Sequence, residues 1–301
     1  MRSPTFNVPE RVLAEFPPET SLAIFDRMSL VRYFELGLMD AIQRKETNYL
    51  AYLSSGQEAV AAALMCEVRD YMVFAQHRAH DIYLAFGGRP EALRDELLGL
   101  PAGTSGGRAG SNCIQCHEGG LTMFGHHGLI GENVPQGVGA ALASGRKTLC
   151  VFGDGSAEED YVLAAMGFAA THNLPILFVC MDNNLSILTK VAVRRSWKIT
   201  DVARSFGLSA LDTADDPWAV LHHVRGLVRQ LPALINCHVC RAYWHVGVGC
   251  DGPPEWDRYQ LVEQQLAEAG LRDTALAVKE QNRIAMEQLW NRKLSLKPLK
   301  P

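Results

Sequence analysis

Two apolar runs in this chain end in short polar clusters that carry oxygen donors. Thr148 to Phe152 passes into Gly153-Asp154-Gly155, and Ile176 to Met181 passes into Asp182-Asn183-Asn184. An aspartate carboxylate and an asparagine amide brought together offer hard oxygens, the ligands a small dication such as Mg2+ takes. The flanking glycines let a phosphate approach the backbone, and a helix N-terminus just beyond favours the anion. Singly, each cluster reads as a tight turn or a solvated loop; together they predict a site for a metal-bound phosphate. Other nucleotide motifs fail. A dinucleotide fingerprint needs a third glycine where Glu158 stands. Gly145-Arg146-Lys147-Thr148 has the form of the end of a P-loop, but Ala140 replaces the leading glycine and the segment runs into a strand.

These clusters need a scaffold that brings them to one place. Apolar runs at 148–152, 176–181 and 234–239 read as buried strands, and they alternate with helical patterns at 158–171 and 217–230. That alternation predicts an α/β fold, a parallel sheet with helices on both faces. Ligands bind beyond the carboxyl ends of such strands, which places Asp154 and Asn183 at one edge. Upstream, Ile24, Met28, Val31, Leu38 and Ile42 recur at helical spacing. Ser55-Gly56-Gln57-Glu58 has the form of a capping box opening a helix through Val68. Residues 101–131 hold nine glycines, a loop composition. The first hundred residues read as helices plus a single short strand. The expected division is an arm over 1–19, the α/β domain over 20–256, and a helical extension with a loose tail over 257–301.

Composition narrows the classes. The chain has 301 residues, 48% of them hydrophobic, enough for one large α/β domain or two small ones. Net charge is −4 with no basic block, so nucleic acid is not an expected partner. No stretch of 18 apolar residues appears, so no membrane span is expected. The N-terminus lacks a signal peptide's apolar core. Several of the eight cysteines sit in apolar runs and read as buried free thiols of a reducing compartment, so a cytoplasmic location is expected. Cys113-Ile114-Gln115-Cys116-His117 has the form of a c-type haem attachment site and offers zinc ligands. Its place in a glycine-rich loop, with no export signal, favours a plain loop.

At this point the sequence resembles a known family. Gly153-Asp154-Gly155 followed by Asn183 is similar to the thiamine-diphosphate motif. Within that class the resemblance is to the alpha subunits of 2-oxo acid dehydrogenases, the pyruvate and acetoin dehydrogenases among them, in order over about 25–260. Ser55-Gly56-Gln57-Glu58-Ala59 is similar to the family's Gly-Gln-Glu-Ala, and His77-Arg78-Ala79-His80 to its Tyr-Arg-x-His. Gly128-Leu129-Ile130-Gly131 with Val134-Pro135 resembles Gly-Ile-Val-Gly-x-x-Val-Pro. Leu174-Pro175 precedes the second strand, and Arg241 with His245 resembles a Tyr-Arg-x-x-x-His loop.

The resemblance implies thiamine diphosphate and Mg2+ as cofactors. Asp154, Asn183 and the Leu185 carbonyl would ligate the metal. Arg78, with His77 beside it, would meet the diphosphate, as would the backbone of Gly155 and Ser156. Gly128 and Ile130 would contact the aminopyrimidine. His245 would sit on a mobile loop at the cofactor mouth, and His80 would contact substrate or support the site from behind. The implied activity is decarboxylation of a 2-oxo acid with transfer of the acyl unit to a lipoyl carrier. The implied partners are a beta subunit carrying the pyrimidine-activating glutamate, in an α2β2 assembly, and a lipoyl acyltransferase.

The chain departs from the family pattern at several places. Ser156-Ala157-Glu158-Glu159-Asp160 replaces Ala-x-Asn-Gln-Gly, His77 replaces the tyrosine, and Ser111-Asn112-Cys113 replaces Ser-Met-His. His126-His127 replaces Gly-Asn, and Asn236 replaces a glutamate before Arg241. None removes a metal ligand, and several are candidates to line the substrate pocket. They keep a second reading open: a two-chain carboligase or transketolase-like enzyme with an aldehyde, ketone or sugar acceptor. A third reading, a non-catalytic regulatory subunit, fits poorly with intact Asp154, Asn183 and Arg78.

Overall fold

The computed structural model describes residues 12–292 apart from 48, 126, 127, 248 and 253. The first eleven residues of the expected arm, His126, His127 and the tail from Lys293 lie outside the described residues. Six strands form one sheet: β1 (Met72–Phe74), β2 (Thr122–Phe124), β3 (Thr148–Gly153), β4 (Ile176–Asp182), β7 (Ser209–Ala214) and β8 (Ala233–His238). Their order is β2-β1-β3-β4-β8-β7, and every pairing is parallel. A small antiparallel hairpin, β5 (Leu185–Ser186) with β6 (Thr189–Lys190), stands beside it.

Successive strand residues point to opposite faces, so each apolar run feeds two cores. Leu149, Val151, Leu177, Val179 and Ile235 enter one cluster, with helices α1 (Pro18–Gln43), α2 (Glu58–Val68), α9 (Pro217–Leu227), α10 (Arg258–Glu268) and α11 (Arg272–Asn291). Cys150, Phe152, Phe178, Cys180 and Leu234 enter the other, beneath α5 (Asn133–Ser144), α6 (Asp160–Thr171) and α8 (Ile199–Ser205). This is why the runs are apolar throughout rather than alternating. Short helices α3 (His80–Ala85), α4 (Pro90–Leu97) and α7 (Val191–Arg194) complete the chain. Among the described residues, no helix is long and apolar enough to cross a membrane.

The structure differs from the sequence reading in several places. Helix α1 begins at Pro18, ahead of the periodic pattern, because proline suits a first turn whose N–H groups have no partner. The capping box does not form. Helix α2 starts at Glu58 after Gln57, which makes no side-chain cap, and the Ser55 hydroxyl is buried without a partner. Instead Glu58 Oε2 accepts from Gly56 N at 2.9 Å while Oε1 takes Arg32 Nε at 2.5 Å. The glycine-rich stretch contains strand β2, which pairs with β1 at the sheet edge. Strand β7 was not anticipated, because only its last residues are fully buried and its sequence lacks an apolar run.

Candidate active site

Because the sheet is parallel, the segments after β1, β3, β4 and β8 emerge at one edge. Gly153 pairs with Met181 and Asp182 with His238, so Asp154 and the 182–185 turn lie side by side. Local chemistry shapes that turn. Asn184 N donates to Asp182 Oδ1 at 2.9 Å, and Leu185 N donates to Asn183 Oδ1 at 3.0 Å. Each is a side chain bonding backbone two residues on, the habit of Asp and Asn in turns. Asn184 takes a φ of 64°, which asparagine tolerates. A Cβ at Gly155 would lie 2.7 Å from Ser186 Oγ, so glycine is what allows β5 this close to the end of β3.

A cavity of about 160 Å3 opens at this edge. His77, Arg78, Ile130, Asp154, Gly155, Ser156, Asn183, Leu185 and His245 all line it. Gly128 does not: it sits on an exposed turn at φ 123°. His80 does not either. It is buried behind the wall, between Glu35 and Ser111. Gln76, Ser186, Ile187 and Arg241 also line the cavity. Sequence reading had no signal for Ile187, an exposed apolar residue in a hairpin too short to show a period.

The motifs hold each other in place. Asn133 Nδ2 donates to the carbonyls of Phe74 and Val151, at 3.1 and 2.9 Å, and fixes the start of α5 across β1 and β3. Tyr161 Oη donates to the Ile130 carbonyl at 2.5 Å. A Cβ at Gly56 would lie 2.3 Å from the Cys240 carbonyl oxygen, and Ala242 N donates to the Ser55 carbonyl at 2.8 Å. The Gly56-Gln57-Glu58 segment therefore docks the loop that carries Arg241 and His245.

Charge is distributed unevenly around the cavity. Arg78 is buried, and its nitrogens donate to the carbonyls of Leu53 at 2.5 Å and His245 at 2.9 Å. Among the described residues no carboxylate bonds it directly, and Glu35 and Asp81 act on it only from a distance. Burial and then Arg241 lower its guanidinium to about 10. Burial, Arg78 and Arg241 likewise press the His245 imidazole down to about 4. Across the cavity, burial and then Asp182 push the Asp154 carboxyl up to about 6, against the pull of Arg194. Arg194 bonds the Asp154 carboxylate and reaches Glu158 Oε1 at 2.6 Å. Arg195 donates to the Asp154 carbonyl at 2.6 Å and to Glu158 Oε1 at 2.9 Å. So Glu158, a departure from the family pattern, anchors two arginines beside the motif.

Neighbouring features are of other kinds. Asn236 Nδ2 donates to Asp212 Oδ1 at 2.8 Å, and His238 Nε2 meets the same oxygen at 3.2 Å, in a cleft of about 940 Å3 that shares Asn183, Leu185 and Arg241 with the cavity. A cleft of about 900 Å3 between α1, α10 and α11 is lined by Arg32, Asp257 and Lys279. Its charges are largely spent on one another, Arg32 on Glu58 and Asp257 and Lys279 on Glu263, so the smaller cavity is the candidate site. All eight cysteines are free. Cys116 bridges backbone-to-backbone with Met123, which ties the Cys113–His117 loop to β2.

Residues 26–253 match the family described as "Dehydrogenase E1 component", and the chain belongs to that family. It is 28% identical over 243 residues to the acetoin:2,6-dichlorophenolindophenol oxidoreductase alpha subunit of Cupriavidus necator, covering 75% of this chain and 72% of that one. It is 31% identical over 187 residues to pyruvate dehydrogenase E1 component subunit alpha-1 of Oryza sativa subsp. japonica, covering 60% of this chain and 47% of the relative. The chain thus spans about half the length of that rice relative. Among solved structures, a transketolase variant from Pichia stipitis superposes with a TM-score of 0.57 at 14% identity, over 89% of this chain and 45% of that one. At that identity the likeness concerns the fold alone.

Proposed function

We propose that this chain is the diphosphate-binding alpha subunit of a two-chain thiamine-diphosphate enzyme that decarboxylates a 2-oxo acid and passes the acyl unit to a lipoyl carrier. The observation that carries the reading is buried Arg78, with no carboxylate among the described residues bonded to it, facing the same cavity as the buried Asp154 carboxylate and the Asn183 amide. A buried cation calls for an anion, and the Asp154 carboxylate, raised by burial even with Arg194 bonded to it, gains from a doubly charged cation. A magnesium diphosphate answers both. Asp154, Asn183 and the Leu185 carbonyl would hold the metal, in keeping with its preference for oxygen ligands. Arg78 and the backbone at Gly155 and Ser156 would hold the phosphates, with His77 alongside. Ile130 and Gly128 are assigned to the aminopyrimidine end.

When bound, the cofactor supplies the electron sink for decarboxylation. This chain's own residues bind, orient and exclude water. His245, kept neutral by burial beside two guanidiniums, offers an imidazole nitrogen as a hydrogen-bond acceptor at the cavity. His80 supports from behind the wall. A volume of about 160 Å3 suits the diphosphate half and falls below the roughly 300 Å3 at which ligand pockets begin. The remaining half is assigned to a beta subunit that brings the pyrimidine-activating glutamate, in an α2β2 assembly. Leu129, Ile187 and Leu188, exposed at 67%, 59% and 74% near the cavity, are the apolar surface such a partner would cover. Free cysteines fit a reducing, cytoplasmic setting. The dehydrogenase relatives favour the lipoyl acceptor over an aldehyde or sugar. The test is turnover of a panel of 2-oxo acids, with carbon dioxide and products followed, by the chain alone and with its cognate beta chain. Activity only in the mixture is expected; full turnover by the isolated chain overturns the reading.

A further inference from the structure

Behind the cavity wall, His80 stands at the centre of a buried relay. Glu35 Oε1 meets His80 Nδ1 at 2.7 Å, and His80 Nε2 meets Ser111 Oγ at 2.8 Å. All three side chains are buried. The order carboxylate, imidazole, hydroxyl is that of a hydrolytic triad. Here the hydroxyl is sealed from solvent and already engaged: Ser111 Oγ accepts the Tyr52 N–H at 2.9 Å. For a neutral His80 imidazole one arrangement of hydrogens satisfies both contacts. With Nδ1–H donated to Glu35, Nε2 is left to accept the Ser111 O–H, and the serine oxygen is left to accept Tyr52 N–H. Each group from the carboxylate to the backbone amide then has one role, and the chain has little freedom to shift.

The relay ends at a ring with two partners. Tyr52 stands edge-on to His77, with centroids 4.9 Å apart, and edge-on to His245 at 5.4 Å. The two imidazoles are themselves 5.3 Å apart. All three rings are half-buried, and both histidines line the cavity. Tyr52 sits on the loop between α1 and α2, where no helix or strand fixes its backbone. The serine hydroxyl on its N–H supplies that constraint. Edge-to-face packing depends on ring orientation, so a displaced Tyr52 backbone would move both imidazoles.

We propose that Tyr52 is a positioning residue for the His77 and His245 imidazoles, and that Glu35, His80 and Ser111 form the buried brace that holds Tyr52 in place. The proposal rests on the cofactor-site reading for the use of those imidazoles, and on geometry alone for their placement. The groups facing His245 are Tyr52, His77, Arg78 and Arg241, and it is the Tyr52 ring that a substitution can remove without changing charge.

The experiment is NMR titration of the imidazoles in the full-length chain, with calorimetry of thiamine diphosphate and magnesium alongside. In wild type His245 is expected to titrate at about 4, held down by burial and by Arg78 and Arg241. Tyr52→Leu removes one wall around it, so its midpoint moves toward the ordinary value of about 6.5 and the His77 signals shift as well. Tyr52→Phe keeps the ring and restores the wild-type titration. Ser111→Ala leaves the ring in the chain but frees its backbone: the Tyr52 amide exchanges faster, and His245 shifts in the same direction as in Tyr52→Leu. Melting curves confirm that each variant is folded. Wild-type titration of His245 in Tyr52→Leu overturns the positioning role, and wild-type amide exchange and titration in folded Ser111→Ala overturn the brace. Unchanged cofactor affinity in Asp154→Ala overturns the cofactor-site reading instead, and leaves the placement of the rings to be judged by the titrations.

Discussion

The Arg194 guanidinium joins Asp154 to Glu158, with one nitrogen on the Asp154 carboxylate and the other 2.6 Å from Glu158 Oε1. A dication ligated by Asp154 must displace that guanidinium, and Glu158 is there to retain it. Arg194→Gln removes the competitor. Magnesium-dependent binding of thiamine diphosphate is expected to tighten by about tenfold, the worth of one charge-assisted hydrogen bond at the lower end of its range of about 1.5–3 kcal/mol. Calorimetry measures this. Weaker binding in the variant would show instead that Arg194 contacts the diphosphate.

If Asp154 and Asn183 ligate the proposed Mg2+, Asp154→Ala and Asn183→Ala each delete an oxygen from an ion that demands near-octahedral geometry. Both variants are expected to lose magnesium-dependent cofactor binding while keeping their circular dichroism spectrum. In Asn183→Ala the Leu185 amide also loses its 3.0 Å acceptor, so the 182–185 turn loosens and this variant is expected to melt lower. Wild-type affinity in either variant removes that residue from the metal site.

Arg78→Lys keeps a positive charge but not the planar fork. Arg78 ties Leu53 and His245 together through their carbonyls, and a single ammonium cannot hold both and still face the cavity. Cofactor affinity is expected to fall by about ten- to a hundredfold, the loss of about 1.5–3 kcal/mol. Equal affinity of Arg78→Lys and wild type would make the arginine a purely structural tie.

Asp81 gives a pH prediction away from the site. Burial pushes its carboxyl up from 3.8 to about 8. Between those values the folded state holds a proton that the unfolded state has released. The stabilisation is full below 3.8 and is lost as pH rises through about 8. Asp154 adds a slope of the same sign, complete by about 6. Between about 6 and about 8 the Asp81 slope persists, and His238, raised above 6.5 chiefly by its hydrogen bond to Asp212, adds a slope of the same sign. The difference between Asp81→Asn and wild type is therefore what isolates Asp81. Asp81→Asn is expected to flatten the fall in melting temperature over that interval and to raise stability above it. A melting profile parallel to wild type would show that Asp81 ionises without cost.

The strands β3, β4 and β8 were legible from their apolar runs, because a strand buried on both faces leaves a continuous local pattern. The parallel sheet with helices on both faces followed from how those runs alternate with helical periods. Strand β2 was hidden because its three residues pair at the sheet edge within a glycine-rich loop, and β7 because it is only partly buried. The capping-box pattern at Ser55 misled for a related reason. Its glycine serves a long-range contact, the approach to the Cys240 carbonyl, and the local motif yields to that packing.

The sequence by itself determined which residue types are available and where the main strands end, and so drew attention to Asp154, Asn183 and Arg78. Only the tertiary structure decided which candidates meet. It set His245 against His77 and Tyr52 on the cavity, withdrew His80 behind the wall onto Glu35 and Ser111, and left Gly128 on an exposed turn. It also brought Arg194 onto Asp154, a contact between residues 40 apart in the chain. Hydrophobic periodicity reports the faces of single elements. The direction of a side chain at a loop, and the charge that will stand opposite it, depend on packing between elements distant in sequence, which no local pattern encodes.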